Sequence, residues 1–182
     1  DLCFNEGRLY VAVNFGDFNN PKGNADSWVY VYDADDLAET ARHKVPQVTY
    51  GAGGIAQRGE RYYVVGGLPA GFEENYVYEY DKNFAFVKKH VVASGHTLLG
   101  IQTATFADGH FWFGCYGDPK ITLKADADLN FVARYEFDCS LGIEALKEGR
   151  FLVASGSCAK DSGCAGRAAV GRADPKTGLG VE

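Results

Sequence analysis

Four aspartates recur at near-constant spacing in this chain, each opening a short polar turn: Tyr32-Asp33-Ala34-Asp35, Tyr80-Asp81-Lys82-Asn83, Ala125-Asp126-Ala127-Asp128 and Ala173-Asp174-Pro175-Lys176. The intervals between them are 48, 45 and 48 residues, long enough for one four-stranded unit and too short for an independent domain. The chain is therefore read as an array of four such units. An aspartate so placed accepts backbone amides two residues on, as in Asx-turns, which assigns these residues to capping. A calcium-loop reading of Asp33-Ala34-Asp35-Asp36 lacks the Gly and Glu that such loops use.

A second landmark precedes each Asp turn: Gly7-Arg8-Leu9-Tyr10-Val11, Glu60-Arg61-Tyr62-Tyr63-Val64, Gly109-His110-Phe111-Trp112-Phe113 and Gly149-Arg150-Phe151-Leu152-Val153. Polar residues with glycine opening an aromatic and β-branched run read as a tight hairpin entering a buried strand. Shorter first strands start at Gly54-Ile55, Gly100-Ile101 and Gly142-Ile143, with Asp1-Leu2 in the corresponding place of the first unit. Third strands are expected at 27–32, 75–80, 121–124 and 167–171. Fourth strands are expected at 39–45, 84–92, 131–137 and after Gly178. In Trp28-Val29-Tyr30-Val31-Tyr32 and Tyr76-Val77-Tyr78-Glu79-Tyr80 nearly every residue is apolar or aromatic, the pattern of strands covered on both faces.

Composition agrees with many short strands and tight turns: 23 Gly, 11 Tyr and 12 Phe in 182 residues. The net charge of −6 and the lack of any Lys/Arg-rich run argue against nucleic acid or an anionic membrane surface as partner. No apolar run approaches the roughly 18 residues a membrane-spanning helix needs.

Four strands per unit at this period, with a polar turn between the first two, resemble a blade of a β-propeller, and the resemblance covers all 182 residues. The Tyr-Asp turns are similar to those of irregular bacterial propellers, without the signature dipeptides of a particular family. The resemblance implies an all-β fold of four-stranded antiparallel blades, at about 1–46, 47–94, 95–138 and 139–182. Four blades fit a closed four-bladed ring, and they fit equally a section of a five- to seven-bladed one.

It also implies that function sits on the face carrying the connections from second to third and from fourth to first strands. Those segments are 14–26, 47–53, 68–74, 94–99, 116–120, 138–141 and 157–166. The residues after the Gly-Ile pairs should open the innermost strands: Ala56, Gln102 and Glu144, with Cys3 in the first unit. His96 and Glu144 are the candidate proton-transfer pair, with Gln102 beside them. Asp17, Phe18, Asn19, Phe72 and Tyr116 are the candidate ligand-binding residues, since rings stack while amides and carboxylates orient a sugar, peptide or small molecule. A solvated loop histidine and a backbone-bonded glutamate are the competing structural reading.

The four histidines show no metal-ligand spacing, and no cofactor motif is present. Cys158 and Cys164 can close a short disulfide ring, and Cys115 could approach Cys139 in the same unit, leaving Cys3 unpaired. Two bridges would place the protein outside the cell or in a periplasm, after removal of any leader. The expected function is an exported recognition module for a small molecule, glycan or peptide. The alternatives are a hydrolase or lyase on a sugar- or lactone-like substrate, and a protein-protein scaffold.

Overall fold

The computed structural model describes residues 1–160 and 163–182. Its strands are β1 (Leu2–Asn5), β2 (Arg8–Asn14), β3 (Ser27–Asp33), β4 (Glu39–Lys44), β5 (Ala52–Arg58), β6 (Arg61–Gly66), β7 (Asn75–Asp81), β8 (Phe86–Val92), β9 (Leu98–Ala107), β10 (His110–Tyr116), β11 (Ile121–Asp126), β12 (Phe131–Tyr135), β13 (Gly142–Ala145), β14 (Arg150–Ala159), β15 (Gly163–Asp174) and β16 (Gly178–Val181). Each consecutive set of four forms one antiparallel sheet in simple up-and-down order, and the four sheets are arranged in a ring like a four-bladed propeller.

The Asp turns join third to fourth strands as expected. Asp33 Oδ1 accepts the amide of Asp35 at 2.9 Å. Asp81 Oδ1 takes the amides of Asn83 and Ala85, and Asp126 Oδ1 those of Asp128 and Asn130. Asp174 Oδ1 takes the amides of Lys176 and Thr177. Phe84 and Leu129 close two of these turns with φ of 60° and 66°, a region that usually belongs to glycine. Both side chains are buried against neighbouring strands, and that packing offsets the backbone strain.

Strand alternation divides every blade into a forward face and a back face. In β6, Tyr62 and Val64 point into a core shared with the first blade, while Tyr63 and Val65 point into a core shared with the third. In β10, Phe111 and Phe113 join that second core, and Trp112 joins a third one with Ile143, Phe151, Val153 and Leu179 of the fourth blade. The cores therefore lie between sheets, which is why the third strands read as apolar on both sides.

Close backbone approach holds the loop side together. A Cβ on Gly66 would lie 1.8 Å from the Gly51 carbonyl oxygen, and one on Gly100 would lie 2.2 Å from the Gly66 carbonyl oxygen. Only glycine allows the second and third blades to meet there.

Two expectations are corrected. The segment expected as a loop at 157–166 is, at 157–159 and 163–166, a two-stranded ribbon continuing β14 and β15, pairing Gly156 with Gly166, Ser157 with Ala165 and Cys158 with Cys164. A Cys158–Cys164 disulfide clamps the ribbon at facing positions, and Asp161 and Ser162 lie outside the described residues. Cys115 and Cys139, in contrast, are free thiols, as is Cys3. Cys139 Sγ contacts the Thr122 hydroxyl at 3.1 Å inside a fully buried setting. Burial raises the Cys115 thiol, and raises Cys139 to about 12, so both stay protonated and behave as small apolar residues. Among the described residues, no helix is long and apolar enough to cross a membrane.

Candidate functional site

On the side away from the Asp turns, a cavity of about 570 Å³ opens between the third and fourth blades. It is lined by Tyr116 at the end of β10, Lys120 before β11, Leu141 before β13, and the disulfide-clamped ribbon at Gly156–Cys158 and Cys164–Gly166. The ribbon exists because β14 and β15 outrun their neighbours by several residues. Glycines at 156 and 166 leave those two positions of its wall without side chains, and the disulfide limits fraying.

One ion pair fixes the floor. Lys120 Nζ donates to Asp138 Oδ2 at 2.9 Å and to the Gly156 carbonyl, tying the third blade's loop to β14. Asp138 is in turn held by the Ser140 hydroxyl at 2.7 Å and the Ser140 amide at 3.0 Å. Burial alone would raise the Asp138 carboxyl. The Ser140 hydrogen bonds and Lys120 outweigh it and hold the group below the ordinary carboxylate range. A second cavity of about 350 Å³ shares Lys120, Gly156 and Ser157 and adds Asp138, Ser155 and Arg167, so a polar compartment adjoins the apolar one.

The predicted residues are spread over three places. Tyr116 belongs to this cavity. Phe18, Asn19, Phe72 and His96 form a connected loop layer over the first three blades. The Phe18 ring lies about 3.0 Å from where a Gly51 Cβ would be, and Asn19 Oδ1 accepts the Leu68 amide at 2.9 Å. Phe72 meets Tyr50 edge-on at 5.4 Å, and the Phe72 carbonyl accepts a hydrogen bond from His96 Nδ1 at 2.7 Å. The His96 amide donates to Glu73 at 3.3 Å, and Asp17 accepts from Asn20 at 3.0 Å. Gln102 donates from its side chain to the Leu99 carbonyl at 2.8 Å.

Glu144 lies elsewhere, in a cavity of about 280 Å³ lined by Asp1, Leu2, Leu141–Glu144, Leu152, Ala154 and Ala168. His96 is not among its lining residues. Burial lifts the Glu144 carboxyl to about 7, with the Thr105 hydroxyl pulling the other way. The Cys3 thiol is raised by burial and by the nearby Glu144 charge.

Strand register also replaces one member of the expected channel set. Tyr10, Tyr63, Trp112 and Leu152 occupy equivalent positions on the second strands, and their partners are Cys3, Ala56, Thr105 and Glu144. Thr105, not Gln102, is therefore the third blade's counterpart, because irregular pairing near Gly114 and Cys115 lengthens β9 at its start. Counting back from the Asp108-Gly109 turn would have found it. Lys120, Asp138 and Leu141 left no signal in spacing; what joins them is the packing of one blade on the next.

Among the described residues, no three of His, Cys, Asp and Glu cluster as a group that could hold a metal ion. No protein-family model matches the sequence, and no curated protein matches it either. The fold rests on strand order, register and the cores between sheets.

Proposed function

We propose that this chain is an exported ligand-recognition propeller whose ligand seats in the cavity between the third and fourth blades. The observation that carries the reading is that cavity: about 570 Å³, on the side with the longer connections, walled by Tyr116, Leu141 and a backbone ribbon that a disulfide stiffens. Its size lies in the range of small-molecule sites, and apolar walls with a few placed polar groups are their usual chemistry. Tyr116 offers a face for stacking. The exposed Ser157 and the polar compartment at Lys120, Asp138 and Arg167 offer hydrogen bonds to one end of a ligand. A small molecule, sugar or short peptide with an apolar body and a polar end fits this division. Export belongs to the same reading, since a disulfide on an exposed ribbon persists in oxidising compartments.

The proton-transfer alternative is favoured by one observation, the Glu144 carboxyl near 7 beside a cavity. It calls for a partner other than His96, whose ring is engaged by Phe72.

Screening a library of monosaccharides, tripeptides and aromatic fragments by ligand-observed NMR tests the recognition reading. Hits should lose saturation transfer with Tyr116→Ala and Leu141→Asp, and keep it with Phe18→Ala and Phe72→Ala. Hits that respond to the second pair and ignore the first would move the site to the loop layer. An absence of hits would remove the reading.

A further inference from the structure

The polar compartment beside the proposed ligand cavity is characterised by which of its hydrogen-bonding positions are already taken. Asp138 has none left. A carboxylate offers about four acceptor positions. Asp138 gives Oδ1 to the Ser140 hydroxyl and amide, and Oδ2 to Lys120 and, at 3.4 Å, to the Gly156 amide. Lys120 directs two of its three ammonium hydrogens to Asp138 and the Gly156 carbonyl, which leaves one donor open.

Arg167 is placed differently. It lines the same compartment from β15, opposite Ser155 on β14. Among the described residues its guanidinium enters no ion pair, whereas Lys120 and Asp138 neutralise each other. The lining therefore carries one uncompensated charge, and that charge is positive. The chain as a whole carries −6, so the attraction of this compartment for an anion comes from these local groups alone. Nor does any side chain at Gly166 divide the polar compartment from the apolar one. Both are lined by Lys120, Gly156, Ser157, Ala165 and Gly166, and a Cβ on Gly166 would meet only the Ser155 carbonyl oxygen, at 3.9 Å.

We propose that the ligand of this site is an organic carboxylate, its apolar body against Tyr116 and Leu141 and its carboxylate across the fork of Arg167 and the open N–H of Lys120. The proposal rests on the recognition reading of the same cavity and adds the charge of what is recognised. A planar carboxylate meets a guanidinium with two parallel hydrogen bonds, a geometry that a sugar hydroxyl or a primary amide does not reproduce. A hydroxyl or amide end would also bring donors of its own to a compartment whose one carboxylate is already filled. Two kinds of molecule carry the matching end: a free aliphatic or aromatic acid, and a peptide C-terminus.

Matched acid and amide pairs provide the test with the chain as it stands. Phenylacetate is titrated against phenylacetamide, and N-acetyl-Ala-Ala-Phe with a free C-terminus against its C-terminal amide, both followed by ligand-observed NMR. In at least one pair the acid should bind about fivefold more tightly than the amide, the scale of a two-pronged contact to an exposed arginine. Arg167→Gln should erase that difference, and Tyr116→Ala should weaken acid and amide alike. Arg167 is exposed, so its substitution leaves the fold intact, which circular dichroism checks. A preference in the tripeptide alone identifies a chain terminus as the source of the carboxylate, and a preference in phenylacetate identifies a free acid. Acid and amide binding equally, both sensitive to Tyr116→Ala, would overturn the carboxylate and leave the recognition reading standing. So would a preference that survives Arg167→Gln. An acid that needs Arg167 but ignores Tyr116→Ala would be a surface ion contact only, and would overturn the proposal as well. If no member of either pair binds, the carboxylate falls, and the neutral members of the screening library then decide the recognition reading.

Discussion

Glu144→Gln gives the clearest handle on the interior. Glu144 is the one carboxylic acid among the four equivalent first-strand positions, the others being Cys3, Ala56 and Thr105. Burial raises it from 4.5 to about 7. At roughly 1.36 kcal/mol per unit, a shift of that size is worth at most about 3 kcal/mol. The group is partly open to the cavity, and water there screens the effect to about 1–2 kcal/mol. The folded state holds its proton more tightly than the unfolded chain. The wild type is therefore at its best below pH 4.5 with respect to this group, and loses that stability as pH rises through about 7. The isosteric amide does not titrate. Urea unfolding followed by the fluorescence of Trp28 and Trp112 should show wild type and variant alike at pH 4. Above pH 7 the variant should be the more stable by about 1–2 kcal/mol. A difference that stays constant across pH would refute the claim that a buried carboxylate strains the fold.

Four further expectations follow from local geometry. Asp126→Ala removes an acceptor for the amides of Asp128 and Asn130 and should lower the urea midpoint, as for the loss of a good cap. Gly66→Ala forces a methyl into the Gly51 carbonyl and should cost more than about 3 kcal/mol, seen as a fall in midpoint or in soluble yield. Reduction of the Cys158–Cys164 bridge should cost no more than about 2 kcal/mol given its short ring, and should speed hydrogen exchange at 157–166 while leaving β6 and β10 protected. Mass spectrometry with alkylation should count three reactive thiols in the unfolded, unreduced protein and five after reduction.

What could be read in the sequence was whatever repeats. The Asp turns and the aromatic second strands recur in every blade, so they located the strands to within a few residues; the third strand of the second blade was expected at 75–80 and is Asn75–Asp81. Irregular features were misplaced because their cause lies elsewhere in the chain. Gln102 follows a Gly-Ile pair just as Ala56 and Glu144 do, yet irregular pairing with β10 gives its place to Thr105. The ribbon at 156–159 and 163–166 has the glycines, serine and cysteines of a loop; only its register shows that those small residues face one another. The cavity at Tyr116 was half legible, since the tyrosine stood out and its neighbours come from other blades.

Asp turns hold the scaffold at one end of the blades, and the proposed ligand site, the cavity between the third and fourth blades, lies at the other. Amide chemical-shift mapping with a screening hit tests it most directly. Shifts should concentrate at Tyr116, Lys120, Gly156–Cys158 and Cys164–Gly166, with the turn amides of Asp35, Asn83, Asp128 and Lys176 unmoved. Saturable shifts at those turn amides, with none around Tyr116, would contradict it.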